Sequence, residues 1–525
     1  MLALMPLCNL PALSIAGDLE IETSVASTVY AYETKEENTT AKSNQAIVLV
    51  PSILASYSSK RLLTSFTAEH TKVEQKIDIK GADKNYTDYK YNGILALIPN
   101  TLNITINGQQ GYRVVDQQQA FIADKLLAAG DLTKFNNNSG SIDFTIPNPK
   151  YFGLTVQSTY SKSETEKSID NTDGLKGDNT VTSIQLNQGK NARNVSYIFS
   201  AEHNDTSRTN FADFKSSRAR GLLGLSITQN MNFILTGKIE KYDLPQEILS
   251  QGTSFDSTSY GAGIQWQPRN ERIFRLTYNQ LLEEEEEEDN ETDFLGVNID
   301  WAFSSRTNLK FDYGKRYYGD AYSLDFSHAL KYIRSSITYR EQVTSFARLE
   351  STSNPIGLFV CQLGSTELAD CFQPDNTNYQ LQAGEEFRTL SEIGSDISSE
   401  IIFSKSGSFN LAYQKRRIKA SIDASYRKTE SLESDSVQTN RNVRLNLSYA
   451  LSKKTNFNFS TTFARNLYSN NVTPDNIINA KLQFRRTLGR NIQFTTGLEF
   501  VYRDSVEENR DIEDKRLTIG MNYKF

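Results

Sequence analysis

Histidine, tryptophan and cysteine are scarce in this chain of 525 residues, at 3, 2 and 3. Proline numbers only 11, and no Pro-rich or Gly/Ser-rich stretch marks a linker between domains. Beyond the amino terminus no apolar run approaches the ~20 residues of a membrane-spanning helix; 46–50 and 94–98 are the longest. Positive charge does not dominate either. With 57 Lys and Arg against 63 Asp and Glu, and the cations dispersed, a nucleic-acid partner is not expected. There is no Gly-rich phosphate loop, no CxxC and no HExxH, so the common nucleotide and metal signatures are missing and no cofactor is expected. A soluble chain of this length would build about three or four apolar cores. Only 38% of its residues are hydrophobic, a poor supply for that many cores.

What the chain has instead is alternation. Leu295, Val297, Ile299, Trp301 and Phe303 share one face of a strand, and Val443, Leu445, Leu447, Tyr449 and Leu451 another. Val195, Tyr197 and Phe199, then Met231, Phe233 and Leu235, then Ile492, Phe494 and Leu498, continue the pattern. Counting such segments gives about two dozen, each near ~9–11 residues. The 26 Tyr and 28 Phe would serve as aromatic girdles at two membrane rims. Backbone groups pair around a closed sheet, so a chain this polar can still span a bilayer. The expected fold is all-β: a transmembrane antiparallel up-and-down β-barrel of about 24 strands, within a range of roughly 20–26.

The connections alternate in length. Short ones fall at 58–60, 99–100, 147–150, 268–271, 304–307, 452–454 and 489–491; long polar ones at 33–43, 163–179, 204–213 and 503–513. Outer-membrane barrels have short periplasmic turns and longer outer loops. Charge sorts likewise, with Lys60, Arg61, Arg416, Arg417, Lys453 and Lys454 in short turns and Glu36, Glu37, Glu507 and Glu508 in long ones. The run Glu283, Glu284, Glu285, Glu286, Glu287 and Glu288 reads as a solvated loop. A sharper but weaker reading makes it a Ca²⁺ or Mg²⁺ site shared with lipopolysaccharide phosphates, since hard cations favour carboxylate oxygens; it lacks the spacing of a defined cation loop.

Residues 1–16 read as a signal peptide ending in Ser14-Ile15-Ala16, small at the positions a signal peptidase inspects. No Lys or Arg precedes its apolar core, which makes a truncated start one explanation. Cys8 lies inside it, leaving Cys361 and Cys371 in a mature chain of 17–525 expected to form one barrel domain. An isolated pair ten apart in an exported protein reads as a disulfide closing a loop. Two segments break the alternation. Residues 113–138 include the helix-like Phe121-Ile122-Ala123-Asp124-Lys125-Leu126-Leu127, and 344–396 hold both cysteines and end in a polar stretch, 385–395, of helical character. Each is either an ordinary outer loop, a cap on the outer mouth, or a constriction folded into the lumen.

The last strand places Leu517, Ile519, Met521, Tyr523 and Phe525 on one face. It resembles the closing strand of bacterial outer-membrane barrels, where a terminal aromatic serves as a signal to the barrel-assembly machinery. A second resemblance covers nearly the full mature length. Leu19-Glu20-Ile21 through Val29-Tyr30-Ala31-Tyr32, then an acidic loop and the Pro-bearing strand Ile47-Val48-Leu49-Val50-Pro51-Ser52-Ile53, resemble PEP-CTERM system-associated outer-membrane proteins. So do Ile401-Ile402-Phe403-Ser404-Lys405-Ser406, Leu411-Ala412-Tyr413 and Arg416-Arg417. The six-Glu run and the cysteine pair depart from that family. The resemblance implies a barrel in bacteria that make exopolysaccharide and carboxyl-terminally sorted surface proteins, and it carries no catalytic residue.

The expected function is therefore a non-enzymatic outer-membrane barrel, a conduit or scaffold for exopolysaccharide or surface-protein export. Its expected partners are outer-membrane lipid and lipopolysaccharide, the assembly machinery and exopolysaccharide-export components. Lumen-facing Asn446, Asn456, Asn458, Gln493 and Thr495 would suit sugar hydroxyls, and equally water. A general diffusion porin is the main alternative. A barrel hydrolase is a further one, and it would need His70, His203 or His328 within reach of a nucleophile such as Ser65 or Ser327.

Overall fold

The computed structural model describes residues 17–525 except 76–83, 115–124, 127–131, 167–173, 193, 210–212, 244–255, 285–288, 317, 346–358, 363–367, 374–380, 389–400, 433–435, 469–472 and 506–510. The first strands are β1 (Asp18–Glu36), β2 (Lys42–Ser58), β3 (Leu62–Gln75), β4 (Lys84–Ile98), β5 (Leu102–Val114), β6 (Leu132–Thr145), β7 (Phe152–Thr165), β8 (Leu175–Gln188) and β9 (Val195–Arg208). There follow β10 (Phe214–Thr228), β11 (Met231–Asp243), β12 (Ser257–Arg269), β13 (Arg272–Glu284), β14 (Asp289–Ser304), β15 (Thr307–Arg316), β16 (Gly319–Ala329) and β17 (Ile333–Ser345). Three short strands come next: β18 (Phe359–Gln362), β19 (Cys371–Phe372) and β20 (Glu385–Arg388). The chain ends with β21 (Ile401–Lys415), β22 (Ile418–Ser431), β23 (Val437–Ser452), β24 (Thr455–Tyr468), β25 (Asp475–Leu488), β26 (Ile492–Asp504) and β27 (Ile512–Lys524).

Among the described residues, twenty-four of these strands make one antiparallel sheet in which each pairs with its sequence neighbour, β17 passing directly to β21. The sheet closes because β27 pairs with β1, from Ser24↔Lys524 to Glu36↔Ile512. Closure gives every one of the twenty-four strands a neighbour on both sides, so the ring has no edge strand, which is what a strand-built membrane protein requires. Alternation then decides the two faces. Leu295, Phe463, Ile519 and Met521 are half exposed on the outer wall, while Asn442, Asn204 and Asn466 are buried on the inner one. This all-strand ring with an apolar outer belt is an outer-membrane β-barrel.

The strands are longer than sequence alternation suggests. A 14-residue strand such as β9 is ~46 Å long and, at a tilt of ~40°, spans roughly 35 Å of height against an apolar band of ~25 Å. The surplus stands above the membrane, where both faces are polar and period-two hydrophobicity vanishes. Part of what reads as long loop is therefore strand. Residues 33–43 hold a hairpin in which Thr34 pairs with Lys42, and 204–213 hold the end of β9. Glu283 and Glu284 belong to β13, opposite Asn290 and Asp289, rather than to a loop; Glu285, Glu286, Glu287 and Glu288 lie outside the described residues. Of 113–138, residues 132–138 are already β6.

One rim carries turns of two to six residues, such as 229–230, 270–271, 416–417 and 453–454, and both ends of the described chain. By the short-turn rule this rim is periplasmic. Asn100 and Asn148 adopt positive φ there, a conformation asparagine tolerates in tight turns.

Candidate functional site

The lumen is where the sheet stops being a plain tube. The ends of β17 and β21 meet in register, Ser345 opposite Ile401, and the 55 residues between them, 346–400, form an insertion. Its described parts fold into a small sheet of their own. β18 lies in the middle, with Cys361 opposite Cys371 of β19 on one side and Glu386 of β20 on the other. Cys361 and Cys371 form a disulfide with S–S 2.07 Å. The bond ties β18 to β19 around the 3₁₀ turn Leu368–Asp370. Residues 385–388 are thus strand rather than helix, and 389–395 lie outside the described residues.

This sheet sits inside the barrel. Phe359, Cys361, Leu368 and Cys371 pack against Ala412, which is fully buried on the inner face of β21. The Gln373 backbone N–H donates to Gln414 Oε1 at 3.0 Å, and Lys419 Nζ donates to the Cys371 carbonyl. Arg485 Nη1 stands 2.7 Å from Asp370 Oδ1, with the arginine 8% exposed. All three wall residues lie near the periplasmic ends of β21, β22 and β25. On its other side the sheet reaches Lys90 of β4, which pairs with Glu386. Gly384 approaches Ser56, near the periplasmic end of β2; its φ of +78° favours glycine, and an added Cβ would stand 4.0 Å from that serine. Between β25 and β4 the sheet order interposes β26, β27, β1, β2 and β3. The segment therefore bridges two separated stretches of wall. Of the three readings open for 344–396, the described residues match the inward one in that they lie against the lumen wall.

The second insertion also turns inward. Lys125 pairs with Asp88 on the lumen face of β4 and reaches Thr71 Oγ1 at 3.3 Å. Leu126 is buried among Tyr32, Ala46, Val73 and Tyr86, and its carbonyl accepts from Gln75 Nε2 at 3.0 Å. Lys125 and Leu126 form a turn, while the helix-like residues Phe121 to Asp124 and Leu127 lie outside the described residues. Higher in the lumen, buried Glu240 meets Lys238 at 3.2 Å and Arg316 at 3.7 Å, and Arg218 pairs with Glu202 at 2.6 Å.

Of the polar lumen residues singled out in the sequence, Asn446 is buried and donates to Ser421 Oγ at 3.0 Å. By register, Asn456 and Asn458 share its face. Gln493 and Thr495 share the face of Asn522 and Gly520, again inward. The histidines are separate. His70 meets Thr87 Oγ1, His203 meets Ser217 Oγ, both at 2.9 Å, and His328 meets Thr307 Oγ1 at 2.7 Å. His328 shares its outward face with Leu324 and Phe326. Ser65 instead donates to Asn92 Oδ1, and Ser327 faces Asn308 across the ladder, so neither meets a histidine. Among the described residues no carboxylate hydrogen-bonds the His203 ring beside its seryl contact, and a nucleophile needs its base held by a third group.

Leu517, Ile519, Met521, Tyr523 and Phe525 all lie on the outer wall, with Phe525 74% exposed and its N–H donating to the Thr23 carbonyl at 2.9 Å. Sequence reasoning missed the anchors of the lumenal sheet: Asp370, Glu386, Lys90, Lys419 and Arg485. No local signal marks them, because Asp370 and Arg485 are 115 positions apart and Lys90 and Glu386 are 296 apart.

No protein-family model matches this sequence, and no curated protein matches it. Among solved structures, the siderophore receptor PirA from Acinetobacter baumannii is 8% identical, with 96% of this chain covering 80% of that one at a TM-score of 0.42. The FrpB iron transporter from Neisseria meningitidis (F3-3 variant) is also 8% identical, with coverages of 95% and 81% and a TM-score of 0.43. The siderophore receptor PiuA from Acinetobacter baumannii is 8% identical as well, with coverages of 95% and 82% and a TM-score of 0.41. Identities and TM-scores this low transfer no ligand or activity to the present chain.

Proposed function

We propose that this outer-membrane barrel is a non-enzymatic, gated conduit, and that the disulfide-tied sheet of β18, β19 and β20 is its gate. One observation carries the reading: the sheet is held on two separated stretches of lumen wall by polar contacts at single residues. Apart from Ala412, the described anchors are ion pairs and hydrogen bonds. Such contacts to charged groups contribute about 1.5–3 kcal/mol each, enough to seat the segment and few enough for cargo to displace it. The disulfide keeps the sheet folded when its wall contacts break, so it would move as a unit. The cargo we assign is exopolysaccharide or a surface protein, in a PEP-CTERM-type export system with partner export components. The Asn- and Ser-lined inner wall supports it by offering paired donors and acceptors to sugar hydroxyls.

Single-channel recording in planar bilayers tests the reading. The wild-type barrel should show small, flickering conductance that acidic polysaccharide blocks further from one side. Steady conductance indifferent to polysaccharide would replace it with a general diffusion porin.

A further inference from the structure

On the outer wall, three adjacent strands, β22, β23 and β24, carry cations just above the apolar belt. Arg441 of β23 and Arg465 of β24 are direct cross-strand partners. Lys428 of β22 stands opposite Lys405 of β21. One residue pair lower on the same face, Val443 and Phe463 are 45% and 50% exposed and stand opposite each other. The alternation of buried Asn440 and Asn442 with exposed Arg441, and of buried Ala464 and Asn466 with exposed Arg465, fixes both arginines on the outside.

Like charges directly opposite each other destabilise a ladder. Elsewhere on the outer wall, same-face neighbours two residues apart on one strand pair with opposite sign, as in Lys162 with Glu164 at 2.8 Å and Lys515 with Glu513 at 2.6 Å. Here Lys428 has such a neighbour, Glu430, and Lys405 stands opposite Glu341. Among the described residues Arg441 and Arg465 form no ion pair. Arg441 rests instead over the Tyr426 ring, its Cζ 5.9 Å from the centroid, and Lys405 Nζ lies 5.1 Å from the Phe403 centroid. Aromatic faces hold these cations in place without neutralising them. The patch is bounded in register by Glu341 opposite Lys405 on one side and by Asp504, beyond Asn476, on the other.

We infer that this patch binds a phosphoryl group of the glycolipid in the outer leaflet, with Arg441 and Arg465 as its two forks. The height supports a lipid source, since the row below faces acyl chains and the patch falls at the head-group level. Paired guanidinium groups match phosphate oxygens bidentately, which point-charge lysines cannot do. A lipid phosphate between the strands converts the like-charge opposition into two attractive contacts. This reading is independent of the gate.

The test uses the whole barrel in nanodiscs, with native mass spectrometry and thermal unfolding as readouts. The probes are phosphorylated lipid A, the same lipid stripped of phosphate, and inorganic phosphate. Wild type should retain phosphorylated lipid A and unfold at higher temperature with it, and should gain nothing from the stripped lipid. R441S/R465S should bind the phosphorylated form roughly ten-fold more weakly, equivalent to about 1.4 kcal/mol, while K162S, whose lysine is ion-paired, should bind as wild type does. Equal binding by wild type and the double variant, or equal binding of stripped lipid, overturns the assignment. Stabilisation by inorganic phosphate alone overturns the lipid source. If the double variant does not fold, Arg465→Gln removes one fork and answers the same question.

Discussion

Arg416 occupies the two-residue turn between β21 and β22 with φ +52°. A non-glycine side chain in that region costs about 1–2 kcal/mol, and the arginine reaches no partner among the described residues that would offset it. Arg416→Gly should therefore raise stability by about 1 kcal/mol after the entropy of an added glycine is subtracted, read as a higher temperature for loss of the folded band in heat-modifiability gels. Inside the barrel, Arg503 and Asp475 form an ion pair at 3.0 Å with side chains 3% and 2% exposed. Asp475→Ala leaves a buried, unpaired guanidinium and should destabilise by about 3–5 kcal/mol. A loss below about 1 kcal/mol in the same assay would mean that water reaches the arginine. Neither residue is distinguishable in the sequence from the many other polar positions of its strand. Burial of a charge depends on what the opposite wall and the insertions bring over it.

Single elements show which information the chain carries openly. Strand existence, direction and face were legible because lipid imposes a strict period of two on every outward position. Thus Leu295, Val297, Ile299 and Trp301 fall on the outer wall as the alternation requires. Strand length was less legible, since the upper ends of β1 and β9 are polar on both faces and read as loop. The closing strand is legible as alternation, and it pairs with β1. We expect Phe525→Ser to fold in detergent with little loss, since the ring is exposed, but to assemble poorly in cells. The check is the fraction of chain that reaches the outer membrane against the fraction held in the periplasm. Equal assembly of variant and wild type would remove Phe525 as a signal.

At the scale of the molecule, the barrel is a container whose function turns on what occupies its lumen. The disulfide was visible from two cysteines ten apart in an exported chain. The position of the disulfide-tied sheet was not. Its seat is set by single charges on strands far away in sequence, Arg485 with Asp370 and Lys90 with Glu386, and one sequence has no means of pairing them. The ends of the insertion meet at Ser345 and Ile401, so replacing 346–400 with a two-residue Asn-Gly turn closes the β17–β21 hairpin without disturbing the wall. Single-channel conductance of that variant against the wild type is the most direct measurement. A large, steady increase over the wild-type level is the predicted result. Identical conductance in the two proteins would contradict a gate in the lumen.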